Sequence, residues 1–195
     1  MRGTKAFVVH IPNKYNEKYT TESGLEIYGD HRWMAKDLAN TIVDVVQIPF
    51  GYDGPIKIGT KVFVDPTLVM QGIHKEGVID SPYLIDREEA LYKAPEDLII
   101  AFSNDNQKTW KCLNNNVLLT KVERKKDAKV NGIIQVGELN DRNSEMVVFM
   151  SNDELVEDGV NVGDTLYVDD RLMISVKFNG KELIWLNVRD LFALV

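Results

Sequence analysis

Pro55-Ile-Lys-Ile-Gly-Thr-Lys-Val-Phe-Val-Asp65 recurs in altered letters as Gly159-Val-Asn-Val-Gly-Asp-Thr-Leu-Tyr-Val-Asp169. Both copies read apolar, polar, apolar, glycine, and then a strand of β-branched and aromatic residues. Working outward, Gly24-Leu-Glu-Ile-Tyr-Gly29 corresponds to Gly132-Ile-Ile-Gln-Val-Gly137, and Leu91-Tyr-Lys-Ala-Pro-Glu-Asp-Leu-Ile-Ile100 to Ile184-Trp-Leu-Asn-Val-Arg-Asp-Leu-Phe-Ala193. The offset stays on the order of 100 residues, which points to a duplicated domain rather than a short-repeat solenoid. Ser103-Asn-Asp-Asn-Gln-Lys-Thr109 is polar and aperiodic, as an interdomain linker would be, so the expected domains are 1–103 and 110–195.

The remaining apolar residues also fall in short runs or alternate with period two. Phe7 to Ile11, Thr41 to Val46, Val117 to Leu119, Met146 to Phe149 and Met173 to Phe178 are examples, separated by turn signals such as Gly51-Tyr-Asp-Gly-Pro55. The expected class is all-β. Asn179-Gly180, between Ile174 to Phe178 and Lys181 to Trp185, marks a hairpin, because a type I′ turn needs positive φ at both central positions. Helical periodicity is weak; Met34 to Leu38 and Asp86 to Leu91 are the best short candidates, with no more than two turns each.

Of 195 residues, 44% are hydrophobic and 27% charged, an ordinary globular composition. The net charge of −7 argues against a general nucleic-acid binder, whose affinity comes from lysines and arginines that neutralise phosphates. One cysteine, Cys112, permits no intrachain disulfide and no thiolate metal cluster. The run Ala6 to Val9, broken by His10 and Pro12, is too short for a signal-peptide core, and nothing approaches the roughly 20 apolar residues of a membrane span. These features lead to an expected cytoplasmic location with no membrane or nucleic-acid partner.

The motifs of the second half resemble the GroES family, the co-chaperonins that cap GroEL-type rings. They are Asn116-Val-Leu-Leu-Thr-Lys-Val-Glu123, Asn131-Gly-Ile-Ile-Gln135, Val160-Asn-Val-Gly-Asp164 and Asp190-Leu-Phe-Ala-Leu-Val195. The first half is more divergent but keeps Ile56-Lys-Ile-Gly59 and Asp97-Leu-Ile-Ile-Ala101. Its Thr21-Glu-Ser-Gly-Leu-Glu-Ile27 is similar to the loop of co-chaperonins carried by large tailed phages. The resemblance implies two tandem GroES-like β-barrels, with mobile loops at about 13–40 and 123–144. It also places chaperonin-binding tripeptides, each after a glycine, at Gly24, Leu25, Glu26 and Ile27 and at Gly132, Ile133, Ile134 and Gln135.

A polar, glycine-containing loop of this kind is expected to stay disordered alone, because it buries too little apolar area to offset its ordering entropy. Each Leu or Ile inserted into a partner's groove contributes roughly 1.5–3 kcal/mol, partly offset by ordering the loop. A ring of such loops gains strength through effective concentration. Strand-like alternation would point Leu25 and Ile27 one way and Glu26 to water, whereas Gln135 would turn inward beside Ile133, which makes the first loop the stronger anchor.

The resemblance thus implies a homo-oligomeric cap and no enzyme or cofactor. Seven chains in two layers are favoured; three or four chains in one pseudo-symmetric layer are the other arrangement. The stretch Leu68 to Glu89 replaces the family's short connection. Rival readings are a ring-forming phage or host adaptor without chaperonin activity, and a chaperonin inhibitor. A zinc dehydrogenase on the same barrel is excluded, since the chain lacks its cysteine ligands and a Gly-x-Gly-x-x-Gly turn. His10, His31 and His74 have no metal-ligand spacing. Asp169-Asp170 and Asp153-Glu154 read as solvated turn residues, and Lys121 to Lys126 as a solvated basic segment before the second loop.

Overall fold

Short runs of valine, isoleucine and phenylalanine, bounded by glycine, proline and polar residues, form extended ladders because branched side chains pack well on a pleated surface. The computed structural model describes residues 5–16, 18–20, 24–74, 77–122 and 143–194. The chain folds as two units, Met1–Leu113 and Asn114–Val195.

The first unit contains β1 (Phe7–His10), β2 (Lys18–Thr20), β3 (Glu26–Tyr28), α1 (His31–Leu38), β4 (Ile42–Gln47), β5 (Lys61–Val64), β6 (Gly72–His74), β7 (Gly77–Ile79), β8 (Leu84–Asp86), β9 (Leu91–Ala94), β10 (Ile99–Ser103) and β11 (Lys111–Cys112). Among the described residues its main sheet is antiparallel in the order β11-β10-β5-β4-β1-β9-β8, with β2-β3 and β6-β7 as separate two-stranded ladders. The second unit contains β12 (Asn116–Lys121), β13 (Asn143–Met150), α2 (Asp153–Glu157), β14 (Thr165–Asp169), β15 (Ile174–Phe178), β16 (Lys181–Asn187) and β17 (Leu191–Leu194). Its sheet runs β15-β16-β12-β13-β14-β17, also antiparallel.

Taken from its other end, the second sheet repeats the first strand for strand, from β17 against β10 to β15 against β8. Register repeats as well. The β1–β4 ladder shifts between Val8 and Val9, and the β12–β13 ladder shifts between Leu118 and Leu119. The β5–β10 and β14–β17 ladders each carry a further shift. Equivalent positions are buried in both units: Phe7 and Val117, Val9 and Leu119, Val45 and Val148, Val62 and Leu166. Phe7 lies opposite Ala94, and at the same place Val117 lies opposite Leu186, so one large–small pair stands where the other unit has two of middle size.

The all-β class is as the residue pattern predicts, but five features differ from expectation. Where barrels are expected, the described ladders stay open: no pairing joins β8 to β11 or β15 to β17. The register shifts raise the local twist and curl, so one open sheet gathers its apolar side chains into one core. Ser103 to Thr109 is a turn inside the first unit rather than a linker. The Asp105 carboxylate accepts from the Ser103 hydroxyl at 2.9 Å and from the Thr109 N–H and hydroxyl at 2.8 and 2.6 Å, and returns the chain to β11. Trp110 to Leu113 therefore belong with the first unit.

Asp86 to Leu91 is not helical. The Asp86 carboxylate accepts from the Glu88 and Glu89 N–H groups, and Ala90 turns at φ +50, carrying the chain from β8 into β9. The unforeseen helix is α2, capped by Asn152, whose side-chain oxygen accepts from the Leu155 N–H at 2.7 Å. Finally, the register pairs Tyr92, not Leu91, with the position of Ile184: each lies across from the equivalent residue, Val9 or Leu119. The shared Asp-Leu letters at 97–98 and 190–191 mislead the alignment by one residue, because they sit at different points of the 3₁₀ turns Glu96–Leu98 and Val188–Asp190.

Candidate functional site

The segment 13–40, expected as one long loop, leaves the sheet between β1 and β4 and carries regular structure of its own. Its root is a bridge between Tyr15 and Ala39, flanked by the Asn16 N–H donating to the Leu38 carbonyl at 2.7 Å and the Asn40 N–H donating to the Lys14 carbonyl at 2.8 Å. Beyond the root, β2 pairs with β3 in the register Lys18 to Tyr28, Tyr19 to Ile27 and Thr20 to Glu26. Gly24 turns at φ +81, a conformation that side-chain-bearing residues rarely adopt, and delivers the chain into β3.

Alternation separates the faces of this hairpin. Glu26 pairs with Lys18 at 2.6 Å, and the Lys18 ammonium lies 6.0 Å from the centre of the Tyr28 ring. Glu26 and Tyr28 thus share the polar face with Lys18, one position out of step with Leu25 and Ile27. Leu25 is 63% exposed and Tyr28 70%, large apolar surfaces for a short hairpin. The return limb is α1, kinked at Met34 (φ −122, ψ 31). It seats Leu38 against the backbone of Gly29, where an added Cβ would lie 2.7 Å from a Leu38 methyl carbon. A side chain at position 29 would therefore press on the end of the Leu38 side chain, which would have to shift.

Gly24, Leu25, Glu26 and Ile27 are thus brought together at one hairpin. Gly132, Ile133, Ile134 and Gln135 of the second loop lie outside the described residues, as does most of 123–144 and of the basic run after Lys121.

The root of the excursion is fastened by side chains that have no sequence signature. The Asp80 carboxylate accepts from the Lys14 ammonium at 3.0 Å, from the Gln71 amide at 2.9 Å and from the Arg87 guanidinium. These three donors hold Asp80 well below the usual carboxylate range, with Lys14 the largest influence. Burial pulls the Lys14 ammonium down, but its hydrogen bonds and charge interactions with Asp80 and the Tyr92 phenol outweigh it and leave the group above its ordinary value. The Tyr15 hydroxyl donates to the Val69 carbonyl at 3.4 Å.

Elsewhere the polar groups serve the fold. Asp169 is buried and, rather than being solvated, accepts from the Arg171 backbone and guanidinium. Asp153 and Glu154 occupy the first turn of α2, where the helix dipole favours anions. Trp185 donates its indole N–H to the Asn116 side chain at 3.0 Å. Among the described residues no three His, Cys, Asp or Glu side chains gather as metal ligands, and no helix is long and apolar enough to cross a membrane. A cavity of about 170 Å³ beside Thr120, Lys121, Glu182 and Ile184 is well below the roughly 300–1,000 Å³ of small-molecule sites. Compared with known proteins, the chain matches no family model and no curated protein sequence.

Proposed function

We propose that the chain is a co-chaperonin of the GroES-like type, two curled antiparallel units in tandem that assemble into a cap for a GroEL-type ring. The observation that carries this reading is the exposed Leu25, set by Gly24 at the head of β3 in the excursion between the paired strands β1 and β4. Leu25 and Ile27 enter an apolar groove on the chaperonin, each contributing roughly 1.5–3 kcal/mol, while the Lys18–Glu26 pair keeps the opposite face in water. Repetition around the cap converts several weak contacts into stable closure. The cap works by displacing bound substrate and enclosing it in the cytoplasm while the partner hydrolyses ATP; it needs no cofactor and no catalytic group of its own.

Assembly from several copies is in keeping with the sheet edges, and the preference for seven comes from the family resemblance alone. In the first unit the outer edge of β10 is covered by β11; among the described residues the matching edge of β17 carries no strand. Such an edge favours pairing with a second copy.

The test is a pulldown with an ATP-loaded GroEL-type ring, together with refolding of a strict chaperonin substrate. Binding with refolding supports the proposal. Binding without refolding favours an inhibitor, and no binding favours an adaptor. Leu25→Asp and Ile27→Asp should each abolish ring binding with the circular-dichroism spectrum unchanged.

A further inference from the structure

We infer that Asp80 is a positioning residue that fastens the root of the 13–40 excursion to the segment following β5, and so sets how the β2–β3 hairpin is presented. Only the consequence for ring binding rests on the proposed function; the fastening itself does not.

Lys14 holds the root in two directions. Its carbonyl accepts from Asn40 of the return limb at 2.8 Å, and its ammonium donates to Asp80 at 3.0 Å. Asp80 is itself held in place: its carboxylate also receives Gln71, ahead of β6, and Arg87, beyond β8. The next residue, Ser81, is buried and donates its hydroxyl to the Leu68 carbonyl at 2.7 Å. Tyr15 adds its contact to Val69. Elements far apart in the chain thus converge on one carboxylate whose side chain is 19% exposed. Charge-assisted bonds at such a site are shorter and stronger than neutral ones.

Among the described residues the second unit shows no counterpart for this clamp. Pro66 to Tyr83, with the β6–β7 ladder, occupies the place filled there by Asp170 to Met173 alone. The two units otherwise repeat one another in strand order, so the added segment calls for a role of its own. A two-stranded hairpin is marginal in isolation. One whose root is fixed loses less freedom on docking than one whose root swings, which is the advantage of preorganisation.

Hydrogen exchange of the full chain tests this directly. In Asp80→Asn, amides of 14–40 are expected to exchange about tenfold faster, while those of β12, β13 and β16 keep the parent rates. Lys14→Gln should reproduce the effect and reads the same contact should Asp80→Asn fail to fold. The double variant should add little to Asp80→Asn, because the Lys14–Asp80 pair is already broken in that variant. Asp80→Glu, which keeps the carboxylate, should recover most of the protection. Unchanged exchange in 14–40, or an increase spread evenly over the first unit, overturns the inference. If the parent binds an ATP-loaded GroEL-type ring, Asp80→Asn should weaken that binding with Leu25 and Ile27 intact. If the parent binds no ring but the exchange pattern holds, the positioning role stands and the chaperonin reading fails.

Discussion

Gly59 and Gly163 hold the same place in the two units: the Gly59 N–H donates to the Val45 carbonyl at 2.7 Å, and the Gly163 N–H to the Val148 carbonyl at 2.9 Å. Both turn at positive φ, +86 and +98. The residue after each closes the same turn through its side chain, Thr60 accepting from the Lys57 N–H at 3.0 Å and Asp164 from the Asn161 N–H at 2.7 Å. Ile56 and Val160 are buried just before the turn, and Ile58 and Val162 exposed within it. One backbone solution has been kept while threonine and aspartate exchange roles as its cap.

Gly59→Ala and Gly163→Ala are expected to destabilise their own units by about 1–2 kcal/mol each, because an L side chain is strained at that φ even where space is open. Urea unfolding followed by exchange in each unit would show two similar losses that add in the double variant. A neutral result at either position would mean that the turn relaxes and the repeat is not a backbone requirement.

The pairs Phe7–Ala94 and Val117–Leu186 make a volume prediction. Leu186→Ala removes a buried side chain from the second core and should cost about 2–5 kcal/mol. Ala94→Leu inserts bulk beside Phe7, whose ring also packs edge-on against Tyr52 at 4.9 Å, and should cost about 1–3 kcal/mol. Adding Phe7→Val to Ala94→Leu recreates the pairing of the second unit and is expected to recover part of that loss. Failure of any recovery in thermal or urea unfolding would show that the two positions do not share space.

Acid should loosen the Ser103–Thr109 turn. Bonds chiefly from Thr109 hold the Asp105 carboxyl down to about 2, below its ordinary 3.8. A depressed folded value means that the stabilisation is fully present above 3.8 and is lost as pH falls towards about 2. Asp105→Asn should therefore flatten the pH dependence of first-unit stability across that window. An unchanged profile would assign the acid sensitivity to other carboxylates.

Much of this architecture is legible locally. Asn179 and Gly180 do adopt positive φ, +47 and +79, between β15 and β16, because that dipeptide tolerates the turn at little cost. Period-two burial along β4 follows from its valines. In the candidate site, the exposure of Leu25 and the alternation of Glu26 follow from a glycine turn and strand geometry. The polar Ser103 to Thr109 stretch was open to misreading, since the side chains that make a segment soluble are those that cap a tight turn.

By itself, then, the residue order determined strands, turns and the doubling of one pattern, because these depend on neighbours and on period. Tertiary structure alone decided that the described ladders stay open, that β11 adds to the first sheet beside β10, and that Lys14, Gln71 and Arg87 meet at Asp80. Lys14 and Asp80 lie 66 residues apart, and no local propensity encodes such a meeting. It arises because the fold brings both segments to one place, where a partly buried carboxylate requires donors to offset its lost hydration.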